Sequence, residues 1–374
     1  MMNNIYDYLK WRGDLSFEQD SFNEVDALIF SWLSYYEFEK LDYSAIEGKD
    51  LTSIAKLHES VFEKLEKNDE TKGVIASSAA KSLLAFLIET PRFKDVKVTS
   101  FKSLYDTKES IQFAAVSFQI LESVEVVAFR GTDTSVAGWK EDCKLSFNEA
   151  LPAQELALEF LNTRYSKAER IYVAGHSKGG NLSIYATMKG DSMGKEKIEA
   201  IYNFDGPGFC FDIKKTPNYD ALYKKVNSFL PQESIVGMLL EHVENYNVVK
   251  SSSYGILQHL PIYWNVMGKK LVTMEKQAKS SEMIDTIFST WLNNISFEER
   301  KEFVDAVFNV LEKAGIEYFT DFTSDSFTKI GKMIKEMSQM ETEKRKMVQL
   351  YLTELVKVSG GSILSSFHKP KEQK

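Results

Sequence analysis

IYVAGHSKGGNLSIYATM, residues 171–188, is the stretch on which the fold turns. Ile171–Ala174 is a short apolar run of the kind that forms a buried strand, and Asn181–Met188 continues as an apolar helix. Between them stands Gly175-His176-Ser177-Lys178-Gly179, a G-x-S-x-G pentad. A serine on so sharp a strand-to-helix turn needs a positive φ, and its flanking residues must be small if strand and helix are to approach. The turn lifts the Ser177 hydroxyl out of the sheet top. The helix start behind it offers a positive dipole end and a free N–H, that of Lys178.

Outward from this turn the chain alternates. Upstream, IQFAAVSFQI from Ile111 and SVEVVAFRG (Ser123–Gly131) are β-branched and aromatic runs two residues apart, read as a hairpin. Ala153–Tyr165 is a helix with Pro152 near its first turn. Downstream, Ala200–Phe204, Lys225–Phe229 and Tyr246–Lys250 read as three more strands, each ending in a polar or Gly/Pro-rich loop. Strands alternating with helices predict an α/β fold with a mostly parallel sheet covered on both faces, and active groups at the carboxyl ends of its strands. The first hundred residues read as helical, with Asn23–Phe38 placing Val25, Leu28, Ile29, Leu33 and Tyr36 on one face and Ser77–Glu89 forming a second helix before Pro91. After about Lys269 the sheet signals stop. Ser296–Ala314 opens on a Ser296/Glu299 capping box and ends at Gly315; Ser326–Met337 and Lys344–Val358 look similar, and HKPKEQK is a solvated tail. The expected division is therefore residues 1–269, a core with N-terminal helices, and 270–374, a helical extension.

Composition narrows the function. The 374 residues are 43% hydrophobic and 27% charged, as in globular proteins, with a net charge of −8. An acidic chain argues against a nucleic-acid partner. Met1–Phe17 has no apolar core of a secretory signal, and no run of 18 residues is apolar and charge-free. Cys143 and Cys210 are too few and too far apart for a disulfide framework or a zinc site, so they are read as reduced, buried hydrophobes in a cytoplasmic protein. H-E-x-x-H, C-x-x-C and the P-loop pattern are all missing.

A second chemical element precedes the pentad. Phe129-Arg130-Gly131-Thr132-Asp133 ends a strand and Gly138-Trp139-Lys140-Glu141-Asp142 follows. Acyl transfer needs a second N–H aimed at the oxyanion from a neighbouring loop, and Thr132 is well placed to give it. Taken together, FRGTD…GW.ED, VAGHSKGGNLS and YNFDGPGF resemble the core of the class 3 (fungal-type) lipases of the α/β-hydrolase fold, over roughly Ser77–Trp264. The chain is more closely similar to a bacterial family of lipase-like proteins of uncharacterised function, which would also hold DYLKWRGDLSF, FNEVDALIFSWLSY, PQESIVGMLLEH and KSSSYGILQHLPIYW as recurrent blocks and would account for the helical C-terminal third. The resemblance implies Ser177 as nucleophile and Thr132 as an oxyanion donor.

In this fold the base lies on the loop after the last strand. Of five histidines, His58 is in the N-terminal region, His368 is in the tail, His176 adjoins the nucleophile, and His242 precedes strand Tyr246–Lys250. His259, in GILQHLP, is the expected base. The acid must fall between Ser177 and His259. Glu233, after strand Lys225–Phe229, is the first choice and Asp205 in the FDGPG loop the rival; the lipase D-x-V-P pattern, laid on S-I-V-G, puts Ser234 rather than a carboxylate in the acid column. The reaction so implied is hydrolysis of a carboxylic ester of a small molecule or lipid, with no metal and no cofactor. A non-catalytic binding protein on the same fold, and an acyltransferase or thioesterase using the same serine, stand as alternatives. The C-terminal helices are read as packing on the sheet domain, with a weak membrane-surface or protein contact as the other reading.

Overall fold

The computed structural model describes residues 3–38, 52–56, 75–133, 135–234, 236–240, 245–278, 296–318, 326–342, 344–346 and 348–349. The expected helix Lys344–Val358 falls largely, and the tail wholly, outside them.

A nine-stranded sheet runs through the molecule. Its strands are β1 (Thr52–Ser53), β2 (Lys97–Asp106), β3 (Ile111–Leu121), β4 (Val124–Phe129), β5 (Arg170–His176), β6 (Ile198–Phe204), β7 (Val226–Pro231), β8 (Tyr246–Val249) and β11 (Thr273–Met274), while β9 (Val266–Met267) and β10 (Lys270–Leu271) form a separate ribbon. The spatial order follows the chain from β1 to β8, with β11 last. Strands β4 to β8 pair in parallel; β1–β2–β3–β4 and β8–β11 pair antiparallel. An antiparallel lead-in followed by parallel strands with intervening helices is an α/β-hydrolase core.

The sheet is apolar on both faces, as its parallel part requires. Val126 and Ala128 of β4, with Ala174 and Phe204, face helices α1 (Ile5–Arg12), α2 (Glu24–Leu33) and α3 (Ile75–Leu87). The alternate residues Val127, Phe129, Ile171, Val173 and Ile201 face α5 (Pro152–Arg164) and α6 (Lys178–Lys189). Between these lies α4 (Val136–Lys144), directly after the Thr132 loop.

Local signals explain the helices. Asn23 caps α2 in a capping box with Asp26, and Pro152 occupies the first turn of α5. The N-terminal helices are then pinned by a buried cluster in which Arg92 meets Asp26 (Nη2–Oδ2 2.6 Å) and the Tyr8 hydroxyl donates to Asp26 (2.8 Å). In the C-terminal part, beyond the short α7 (Tyr219–Leu222), α8 (Phe297–Ala314) is capped by Ser296 and stopped by Gly315 at φ 76°. Its stripe Phe303, Val307, Val310, Leu311 and Ala314 is buried in a third apolar cluster with Val136 of α4. Helix α9 (Ser326–Ser338) contributes Met333 to the same cluster.

Two sequence expectations need correction. The first hundred residues are not all helical, since β2 begins at Lys97; KVTSFKSLYD is polar and half-exposed, so it lacks the apolar alternation that marks a strand. Strands also continue past Lys269: the two-residue strands β10 and β11 are too short to show a period and so leave no signal in the sequence. Among the described residues no helix is long and apolar enough to cross a membrane.

Candidate active site

The chain leaves β5 at His176 and enters α6 at Lys178, with Ser177 between them at φ 58°. Two of the pentad's glycines are there for close approach: a Cβ on Gly175 would collide with the Gly179 carbonyl, and one on Gly179 with the Phe129 carbonyl at the end of β4. The Ser177 N–H donates to Phe204 O (2.9 Å), which fixes the corner to β6. Ser177 is 7% exposed. The Gly131–Thr132 loop lies directly over it, so close that a Cβ on Gly131 would stand 2.9 Å from the Ser177 Cβ. Both predicted donor positions, Thr132 and Lys178, thus flank the serine. The Lys178 side chain turns away into the protein and meets Glu141.

One strand over, a second corner forms. Asp205 follows β6 at φ 54°, and its N–H donates to Phe229 O (2.8 Å). Its carboxylate is fully used: Oδ2 is 2.6 Å from His259 Nδ1, and Oδ1 accepts from the Ser234 hydroxyl and from the Gly237 N–H (2.5 and 3.2 Å). His259 closes a 3₁₀ turn, Gly255–His259, on the chain after β8. The predicted base is therefore paired with a carboxylate, but with Asp205 and not with Glu233. Glu233 instead braces the turn: its Oε2 accepts from Gly255 N–H (2.5 Å) and its own N–H donates to Gln258 Oε1 (3.0 Å). The carboxylate paired with His259 thus comes from the end of β6, and Ser234, which fills the lipase acid column, donates to it across 29 residues of chain. His242, His58 and His368 lie outside the described residues.

The two corners are tied through His176. Its Nε2 lies 2.7 Å from the His259 carbonyl and its ring lies 4.5 Å, centroid to centroid, from that of His259. A carbonyl only accepts, so Nε2 carries the proton. The Nδ1 atom, 2.9 Å from the Tyr35 hydroxyl, is then the acceptor. Tyr35 accepts in turn from the Gly131 N–H. Burial, reinforced by the neighbouring His259, holds the His176 pKa well below its usual value, so the ring stays neutral and keeps this tautomer. A continuous chain of hydrogen bonds thereby joins the Thr132 loop to the backbone of His259. Tyr35 escaped sequence reasoning: it sits 141 residues from His176, just beyond α2, and no local signal links the two.

Residues 87–309 match the sequence model of the Mbeg1-like family. Among solved structures the chain is similar to the crystal structure of M37 lipase, at 19% identity over 57% of this chain and 69% of that one, with a TM-score of 0.35. No curated protein matches the chain.

Proposed function

The chain belongs to the Mbeg1-like family, and from that premise and the Asp205–His259 pair beside the Ser177 corner we propose that it is a serine hydrolase of carboxylic esters, lipid esters included. His259 Nε2 takes the Ser177 proton as Oγ attacks the ester carbonyl. Asp205, bonded to Nδ1–H, keeps the imidazole in the tautomer whose Nε2 is free and stabilises the imidazolium that forms. The N–H groups of Thr132 and Lys178 receive the negative charge on the carbonyl oxygen, helped by the start of α6. His259 then protonates the leaving alkoxide. Water, deprotonated by the same imidazole, attacks the acyl carbon, and the imidazolium returns that proton to Ser177 Oγ as the acyl–oxygen bond breaks and the carboxylic acid leaves.

The observation that carries this reading is the 2.6 Å Asp205–His259 contact. The ground for a non-catalytic binding protein is the missing carboxylate in the lipase acid column, and Asp205, after the preceding strand β6, offers His259 a carboxylate instead. An acyltransferase or thioesterase would use the same groups with another acceptor or another acyl donor.

A fluorophosphonate probe tests the nucleophile. The wild type is expected to label and to hydrolyse p-nitrophenyl esters, with chain-length preference read from a series; Ser177→Ala, which leaves the corner small, is expected to do neither. A folded wild type that resists the probe sinks the assignment. Labelling without hydrolysis, together with transfer from an acyl thioester, would move the protein to the acyltransferase or thioesterase class.

A further inference from the structure

Lys178 sits at the first position of α6, where a cation opposes the helix dipole and water would be its ordinary refuge. Its side chain is nevertheless 1% exposed. Nζ stands 2.6 Å from Glu141 Oε2, 2.8 Å from the Gln112 carbonyl and 3.6 Å from Asp142 Oδ1. Glu141 is equally buried, and its Oε2 also accepts from the Gln112 N–H (3.1 Å). Burial works against the ammonium, but the charges of Glu141 and Asp142 outweigh it and leave the Lys178 pKa above its usual value. The reaction proposed above uses only the backbone N–H of this residue and gives the side chain no task.

The partners of Nζ are those that hold the Thr132 loop. Glu141 and Asp142 belong to α4, whose first residue follows that loop after the Ser135 cap. Gln112 leads β3, and its side-chain Oε1 accepts from the Asp133 N–H (3.2 Å), one residue beyond Thr132. One buried ammonium thus bridges the helix behind Ser177 and both elements that shape the loop above it.

We propose that the Lys178 side chain is a positioning residue of the oxyanion site: it locks α4 and Gln112, and with them the Thr132 loop, to the start of α6, so that the two N–H donors keep a fixed spacing. The proposal rests on the reading of Ser177 as nucleophile. Removing one oxyanion donor typically costs about 10²–10³ in rate, so misplacing one is expected to cost on the order of 10². Lys178→Met keeps length and the backbone N–H but loses the ammonium. It also strands a buried carboxylate, so the double variant Lys178→Met/Glu141→Gln is made beside it to relieve that charge.

The measurements are kcat and KM on p-nitrophenyl butyrate, inhibition by a trifluoromethyl ketone that forms a tetrahedral oxyanion on the serine, and Tm. In both variants kcat is expected to fall about 10²-fold with KM within about threefold, inhibitor affinity falling in step, while the double variant regains Tm. If kcat returns together with Tm in the double variant, Lys178 is a structural ion pair and the proposal is overturned. Wild-type kcat in Lys178→Met overturns it as well, and leaves the Ser177 reading standing. A wild type that neither labels with fluorophosphonate nor hydrolyses any ester fails the hydrolase reading itself, and this proposal with it.

Discussion

Adjacent strands β5 and β6 end in the same device. Each is followed by one residue at positive φ, Ser177 at 58° and Asp205 at 54°, and each such residue sends its N–H to the carbonyl that ends the core of the next strand, Phe204 or Phe229. A residue in the left-handed region turns its side chain out of the pleat, so both corners present a functional group at the sheet's carboxyl end. They differ in what holds that group. Ser177 runs straight into α6 and is gripped by backbone packing at Gly175 and Gly179. Asp205 runs into Gly206-Pro207-Gly208 and is gripped by hydrogen bonds from Ser234, Gly237 and His259. The proposed nucleophile corner is therefore made locally, and the proposed acid corner by residues of two distant segments.

The largest effect should come from cutting the acid corner. Asparagine tolerates positive φ, so Asp205→Asn is expected to fold normally. It removes the charge behind His259 and allows the wrong tautomer, a change that lowers kcat by about 10⁴ in a Ser-His-Asp triad. Glu233→Gln should stay within about threefold of wild type, because Glu233 only braces Gly255. Steady-state kcat on a p-nitrophenyl ester reads both. A large loss in Glu233→Gln with Asp205→Asn mild would break the parallel between the corners and return the acid to the end of β7.

The same difference sets how much the sequence discloses. Ser177, with Gly175 and Gly179 around it, is spelled in five consecutive residues, and the strand and helix that flank it are apolar enough to be read directly. Asp-Gly at Asp205–Gly206 reads as a turn, and only the pairing of β6 with β7 shows that it stands where Ser234 and His259 can reach it. Glu233 is the first choice on sequence because it follows the strand after which class 3 lipases carry their acid; in the structure Ser234, which fills that column, donates to the Asp205 carboxylate. Tyr35 depends on the Arg92–Asp26 cluster that docks the N-terminal helices, a contact spanning 66 residues that no periodicity encodes. Residue 35 also lies outside the 87–309 span of the family match, so the site reaches beyond it.

A smaller effect tests the link between the corners. Tyr35→Phe removes the donor to His176 Nδ1 and the acceptor for the Gly131 N–H without changing the ring. The His176 proton is then free to move to Nδ1, which would point a lone pair at the His259 carbonyl. We expect kcat to fall roughly tenfold with KM little changed, about one net hydrogen bond's worth of positioning. A fall in Tm alone, with kcat of the folded protein intact, would leave the two corners mechanically independent.

The smallest effect concerns the acids behind each corner. The Asp205 carboxylate is met by three donors, whereas Asp142, behind the Ser177 corner, sits where burial pushes its pKa up from 3.8 to about 6 against the pull of Lys178, with Glu141 adding to the rise. A folded-state pKa above the unfolded value means that the fold favours the protonated form. The stabilisation is fully present below about pH 3.8 and is lost as pH rises through about 6. Asp142→Asn cannot titrate, so the wild type should lose ground to it between pH 4 and pH 8. The Asp142 side chain keeps 24% of its surface in water, and solvent screening leaves about 1–2 kcal/mol of pH-dependent difference. The difference in Tm should then move toward the variant by roughly 1–3 °C over that interval. Thermal melts of both proteins at pH 4, 6 and 8 measure it directly. A difference that does not change with pH would mean that burial does not raise the Asp142 carboxyl, and the contrast drawn at the Ser177 corner would fall.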